Sequence, residues 1–193
     1  MIRAMKANEI EKVASFISDG YYDDVFFHWV VPDSEHRRRV VTDYYKIYLS
    51  AEGCVAHVAE DSEGNLIGAT VWLPHDVDAD IYDLIDKAAG AYAPRFRAVA
   101  DKSHESEPKG VPFYQLVGVV VDKSVQGTGV GTKLLKFQLD NLDKLGILTY
   151  LEASTPYSGG GLYGKFGYEH YGELLVFTDK AVLYPLWRKA VKV

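Results

Sequence analysis

Hydrophobic positions along the chain follow two periods, and each change of period marks an element. Beyond Gly131, the residues Leu134, Leu135, Leu142 and Leu145 fall within about one third of a helical circumference, with Lys133, Lys136, Asp140, Asp143 and Lys144 opposite, which predicts an amphipathic helix. Ile10, Val13, Ala14 and Ile17 make a second apolar stripe behind a capping box of Asn8 and Glu11. A third helix runs through Arg37, Val40, Val41, Tyr44, Ile47 and Tyr48, with Ser34 or Asp33 as its cap. Short apolar runs predict strands at residues 2–5, 54–60 and 66–73, the last two joined by the polar turn 61–65 as an antiparallel hairpin. Residues 76–102 carry a helical pattern broken near Gly90 and Pro94, so two short helices are expected there, followed by an exposed polar loop at 103–110. The apolar runs 111–122 and 147–154 flank the first-named helix and predict a right-handed β-α-β unit with parallel strands. A short helix at 157–166, interrupted by Gly159, Gly160 and Gly161, and a closing hairpin of 168–177 with 182–189 complete the chain. Together these elements predict an α/β (α+β) fold of one domain over residues 1–193, a mixed, mostly antiparallel sheet with helices on both faces.

The most informative junction lies at residues 117–132, where an apolar run ends at Asp122 and Gly127, Gly129 and Gly131 open the amphipathic helix. The first amide N–H groups of a helix lack intrahelical partners and sit at the positive end of its dipole, so an anion there gains about 0.3–2 kcal/mol besides its hydrogen bonds. Glycine puts no Cβ between backbone and ligand and tolerates positive φ, so these residues read either as a phosphate cradle or simply as a turn. A Walker loop requires lysine directly after its last glycine, whereas Thr132 intervenes before Lys133. A dinucleotide fingerprint requires its glycines directly after the strand. Here residues 122–126 intervene and Thr132 replaces the third glycine, although Glu152 in the role of ribose acid keeps that reading as a minor alternative.

Residues 126–131 instead read Gln-x-x-Gly-x-Gly after a strand ending Val-Val-Val-Asp, with Leu-Glu-Ala-Ser at 151–154 and Leu-Tyr-Gly-Lys-Phe-Gly-Tyr at 162–168 downstream. In that order and spacing the chain resembles the GNAT superfamily of N-acetyltransferases. Trp72-Leu-Pro74, the aromatic stretch before Pro32-Asp33 and the Leu-Glu-Ala-Ser segment resemble its branch of puromycin-type N-acetyltransferases most closely. The resemblance implies acetyl-CoA as co-substrate, bound by a β-α-β core, with no metal. It puts pantetheine on main-chain groups of Val119 and Val121, where the parallel strands would have to part, and the pyrophosphate on amides around Gln126, Gly127, Gly129, Gly131 and Thr132. Tyr163 matches the tyrosine that protonates the leaving thiolate. Glu152, on the strand beside the donor site, is the first choice of base, a structural hydrogen-bonding role being the alternative. Two departures stand out: Lys123 replaces a frequent proline, and Gly159 replaces an asparagine that helps hold pantetheine, which leaves Ser158 to substitute.

Residues 21–29, Tyr-Tyr-Asp-Asp-Val-Phe-Phe-His-Trp, lie between the first two helices and read either as core packing or as an acceptor pocket. In the second reading Asp23 or Asp24 receives a protonated amine while Phe27 and Trp29 hold its apolar body. A net charge of −6 over 193 residues argues against a general nucleic-acid binder. A single cysteine, Cys54, excludes an internal disulfide and a multi-cysteine zinc site. There is no secretory signal core and no apolar run near the ~20 residues of a membrane span. The expectation is a cytoplasmic enzyme, monomer or homodimer, that transfers acetyl from acetyl-CoA to a primary amine of a small molecule in a ternary complex. A non-catalytic acyl-CoA-binding sensor is the alternative.

Overall fold

The computed structural model describes residues 1–77, 80–157 and 159–191. Strand β1 (Ile2–Ala4) leads to helices α1 (Ile10–Gly20), α2 (Val25–Val30) and α3 (Ser34–Ser50), then to the hairpin of β2 (Val55–Glu60) and β3 (Leu66–Pro74). Helices α4 (Asp80–Ala89) and α5 (Ala93–Ser106) precede β4 (Phe113–Val121), which passes through α6 (Val130–Leu145) to β5 (Leu148–Ala153). A single helical turn, α7 (Gly161–Gly164), is followed by β6 (Glu169–His170), β7 (Leu175–Val176) and β8 (Val182–Arg188). The strands order as β1-β2-β3-β4-β5-β8-β6, with β7 on β8. Among the described residues β4 and β5 form the parallel pair and every other pairing is antiparallel, giving the mixed α/β class read from the sequence.

Alternation along the strands divides the apolar side chains between two cores. Beneath α6, Leu135, Leu139 and Leu142 pack on Trp72, Leu151 and Leu186. On the other face, Val13 and Ile17 of α1 and Val41 and Tyr45 of α3 pack on Val58 and Val71. Each such side chain contributes about 1.5–3 kcal/mol by leaving water, so helices cover both faces because each strand presents apolar residues to both. Arg37 sits on the apolar face of α3 and is buried because its guanidinium donates to the carbonyls of Val31 (2.8 Å) and Pro32 (2.9 Å), fixing the turn between α2 and α3. No helix among the described residues is long and apolar enough to cross a membrane.

Several local expectations are corrected. The turn before α1, residues 7–9, is closed by Glu9, which accepts from the Lys6 N–H at 2.8 Å and is held there by Arg3, while α1 itself has no side-chain cap, so the Asn8 and Glu11 box does not form. Residues 25–30 are helical, with Asp24 as cap, and α5 continues through Ser106 into the first half of the expected loop. Leu145, placed on the apolar stripe of α6, is 69% exposed because it is the last residue of the helix, one step before Gly146 turns the chain back. The closing segment 168–177 is broken into β6 and β7, with Gly172 at positive φ between them.

An ion pair locks the end of this arrangement. The Arg188 guanidinium donates to both oxygens of Asp143 (2.7 and 2.6 Å) and to the Phe166 carbonyl (2.7 Å), joining β8, the last turn of α6 and the turn after α7. The side chains are only 5% and 10% exposed, and the arginine holds the Asp143 carboxyl below the usual carboxylate range. Removing one partner strands the other charge. Asp143→Ala is therefore expected to lose about 3–5 kcal/mol, read as a lowered urea midpoint. Replacing both residues by apolar ones should recover part of that loss.

Candidate functional site

The site begins with a miscount between strands. Val71 of β3 lies opposite Gly118 of β4, but Trp72 lies opposite Leu116, so Val117 is an extra, bulged residue. The bulge moves side chains between faces: Leu116 packs beneath α6, whereas Val120 packs with the α1 layer. At the bulge, Gly118 faces α3. A Cβ there would stand 3.0 Å from Tyr45 Cε1, and the Tyr45 hydroxyl donates to the Val117 carbonyl at 3.0 Å. Pairing between β4 and β5 runs only from Phe113 with Leu148 to Leu116 with Leu151, so the parallel strands part at the bulge.

Side chains satisfy the freed edge of β4. The Tyr21 hydroxyl accepts from the Val119 N–H (3.0 Å) and is 3.1 Å from the Val119 carbonyl, to which it donates. The Gln126 amide donates to the Val121 carbonyl at 3.1 Å. Just beyond, α6 starts at Gly129 with φ of 89° and no side-chain cap, and its first turn carries no acid. By contrast, Asp24 caps α2 and Asp33 caps α3. Gly127 and Gly129 have positive φ with open space where a Cβ would stand. These features leave the N–H groups of the α6 N-terminus open to an anion. Gly131 is closer packed, a Cβ there lying 3.3 Å from Val121 Cγ2 and 3.6 Å from Leu162 Cδ2, which sets the loop against α7.

A cavity of about 300 Å³ opens beside the gap. Tyr21, Phe27, Tyr44, Tyr45, Tyr48 and Phe96 supply its aromatic wall, and Asp24, Asp86, Glu107 and Glu152 its acids. Arg97 pairs with Asp86, which leaves three carboxylates without a basic residue of the cavity beside them. Glu152 Oε2 accepts from Ser103 Oγ (2.6 Å), and Oε1 accepts from the Tyr150 hydroxyl (2.9 Å). Burial pushes the Glu152 carboxyl up to about 7 despite these two donors, and the charge of Glu107 adds to the rise. Tyr163 lines the same cavity from α7, its ring edge-on to Tyr168 at 5.8 Å. Burial holds its phenol well above the ordinary value, so it keeps its proton at any working pH.

Glu152, Tyr163, Val119, Asp24 and Phe27 thus meet in one cavity. Val121, Gln126, Gly127, Gly129, Gly131 and Thr132 form the adjoining loop and helix start. Ser158 lies outside the described residues. Trp29 is a correction: it is not among the cavity's lining residues, and its indole packs on Phe177 at 4.8 Å with the Arg95 guanidinium over it. Phe27 turns to the cavity, Phe26 reaches both the cavity and Phe177, and Trp29, about one helical turn on from Phe26, packs on Phe177 just after β7. Asp24 reaches the cavity with both oxygens engaged, Oδ1 by the amides of Phe26 and Phe27 and Oδ2 by Ser154 Oγ at 2.8 Å. Sequence reasoning missed Tyr45, Ser103 and Glu107. Tyr45 carried a signal as an aromatic on a helical stripe, whereas Ser103 and Glu107 sat in a polar stretch that offered none. Among the described residues no group of three or more His, Cys, Asp or Glu could hold a metal ion.

The sequence profile of the acetyltransferase (GNAT) family matches residues 18–168, well over half of the chain. Among solved structures the chain is similar to histone acetyltransferase HPA2 and related acetyltransferase from Corynebacterium glutamicum, at 21% identity over 100% of this chain and 97% of that one, with a TM-score of 0.71. It is similar to a polyamine N-acetyltransferase of Drosophila melanogaster at 15% identity, 100% and 99% coverage and a TM-score of 0.59. It is similar, too, to an aminoglycoside 6'-N-acetyltransferase complexed with coenzyme A, at 14% identity, 100% and 98% coverage and a TM-score of 0.60. Likeness at these identities bears on the fold alone. A search of curated proteins finds no significant match. With a family profile that spans both the glycine loop and Tyr163, the chain belongs to the acetyltransferase (GNAT) family.

Proposed function

We propose that the chain is an acetyl-CoA-dependent N-acetyltransferase that acylates a primary amine of a small molecule by direct attack within a ternary complex. In this reading it works in the cytoplasm as one domain, monomer or homodimer, near the puromycin-type branch. The observation that carries the reading is the parting of β4 from β5 beside a cavity holding both Glu152 and Tyr163. Neighbouring structures point the same way: one forms N-acetylagmatine, and another, an aminoglycoside acetyltransferase, holds coenzyme A.

The residues suit a donor bearing a pyrophosphate. The α6 N-terminus is uncapped and free of acids, and Gly127 and Gly129 leave room against the backbone. Main-chain groups of Val119 and Val121 would take the pantetheine amides in exchange for the hydroxyl of Tyr21 and the amide of Gln126. Acetyl-CoA supplies a thioester open to attack by an amine. A lysine-like amine is neutral in only about one molecule in a few thousand at pH 7, so attack needs a proton acceptor. Glu152, balanced near neutrality, takes that proton, while the carboxylates of Asp24 and Glu107 hold the cavity negative for a cationic acceptor. Phe27 and the tyrosines shield its apolar body from water. Tyr163 retains its phenolic proton until negative charge builds on the departing sulfur.

Three outcomes test this reading. Gly129→Asp sets an anion in the cradle and should weaken CoA binding at least tenfold, about 1.4 kcal/mol, by calorimetry on protein whose circular dichroism is unchanged. Glu152 acts as a base only when ionised, so kcat/KM for the amine should rise with pH up to about 7. Glu152→Gln should remove that rise and lower kcat/KM by about 10²–10⁴. Tyr163→Phe keeps the ring but not the proton. Its single-turnover rate should fall about 10²-fold or more while CoA affinity and melting temperature stay near wild type. Binding of CoA without thiol release to any of a panel of amines would instead favour the sensor.

A further inference from the structure

Glu152 is connected to a second set of hydroxyls that the cavity does not contain. Its Oε1 meets the Tyr150 hydroxyl at 2.9 Å, and that hydroxyl meets Ser106 Oγ at 3.1 Å. Tyr150 is fully buried, whereas Ser106, the last residue of α5, is half-buried. Neither Tyr150 nor Ser106 lines the acceptor cavity, although Glu152 and Ser103 do. A phenol has one hydrogen to donate and can accept another, so Tyr150 bonded on both sides can pass a proton along.

We infer that Tyr150 and Ser106 form a proton exit that carries to solvent, past the end of α5, the proton Glu152 takes from the acceptor amine. The inference rests on the reading of Glu152 as the base. It answers a difficulty in that reading, since an amine filling an aromatic cavity blocks the water path that Glu152 would otherwise use. In the transfer, the proton on Oε1 moves to Tyr150 Oη as the hydrogen of Tyr150 moves to Ser106 Oγ and that of Ser106 passes to water. Three O–H bonds break and three form, Glu152 returns to the carboxylate, and nothing is oxidised or reduced. Ser103, bonded to the other oxygen at 2.6 Å, holds the carboxyl in place during the transfer. The charged and titratable groups around Glu152 are Glu107 after α5, Tyr44 and Tyr48 on α3, and Tyr82 on α4. The hydroxyl chain itself runs only through β5 and α5.

The test follows the proton, in the full-length protein without donor and with its cavity filled by phenyltrimethylammonium, a cation that suits the aromatic wall and has no proton to exchange. With 13C-labelled glutamate, the Glu152 carboxyl signal, assigned by its loss in Glu152→Gln, gives both a titration midpoint and, by relaxation dispersion at that midpoint, the rate of proton exchange. Ser106→Ala leaves Tyr150 and Ser103 bonded to Glu152. It is expected to slow exchange at least tenfold with little change of midpoint, while Ser106→Thr, which keeps the hydroxyl, stays at the wild-type rate. Tyr150→Phe should slow exchange similarly and also raise the midpoint, because a hydrogen-bond donor to the carboxylate is lost. Unchanged exchange in Ser106→Ala, or a change in its midpoint without a change in rate, overturns the relay. Undiminished acetylation by Glu152→Gln overturns the base reading instead, and the exchange measurement stands apart from it.

Discussion

The site depends on a requirement that a sheet normally meets without notice: every buried peptide group needs a hydrogen-bond partner. One extra residue at Val117 takes β4 out of step with β3 and away from β5, so the N–H and C=O groups of residues beyond it lose their natural neighbour. The hydroxyls of Tyr21 and Tyr45 and the amide of Gln126 take over that role. Aromatic residues that line the cavity are thus also the residues that keep the open sheet satisfied. Packing and chemistry share the same side chains here, and α2, whose cap Asp24 is bonded to Ser154 just beyond β5, closes the arrangement.

Acids elsewhere in the molecule behave differently from those in the cavity, and the cause is their partners. Glu9 and Glu60 share Arg3, and Asp143 is held by Arg188, so each is drawn toward the charged form. Glu152 has only hydroxyls to bond and a like charge nearby, and burial carries it the other way. Glu107 follows the same direction for the same first cause, although His104 and Lys109 moderate it. A carboxylate without a cation, in a wall of tyrosines, is left to be completed by whatever cation enters.

Much of this was legible in the chain. The stripe of Leu134, Leu135 and Leu142, the alternate glycines before it and the downstream Leu-Tyr pair located the α6 N-terminus and Tyr163, because strong periodicity and glycine chemistry are local signals. The bulge was not read from the chain: Val117 is one apolar residue in a run of them, Gly118 beside it is a weak signal, and the extra residue shows itself only against the register of β3. Ser103 lay hidden because α5 runs past a polar stretch whose composition suggests a loop, held there by a bond to Glu152 that is 49 residues distant. Trp29 was grouped with Phe27 because the six-residue helix was absent from the expected connection, and in that helix Trp29 lies about one turn beyond Phe26 and packs with it on Phe177.

The opening in the sheet is a matter of counting rather than of composition. Any β-branched residue could stand at Val117 and leave the strands parted, provided the Val117 carbonyl still receives Tyr45. Deleting one residue there is another matter. It would return β4 to step with β3, exchange the faces on which Val119 and Val120 lie, and bring the β4 edge back within reach of β5. The sheet would close like a seam, gaining ladder bonds while losing its cleft. Along β4, Gly118 against Tyr45 excepted, a change of letter is therefore tolerated more easily than a change of length, and a one-residue deletion at this point trades the cleft for regularity.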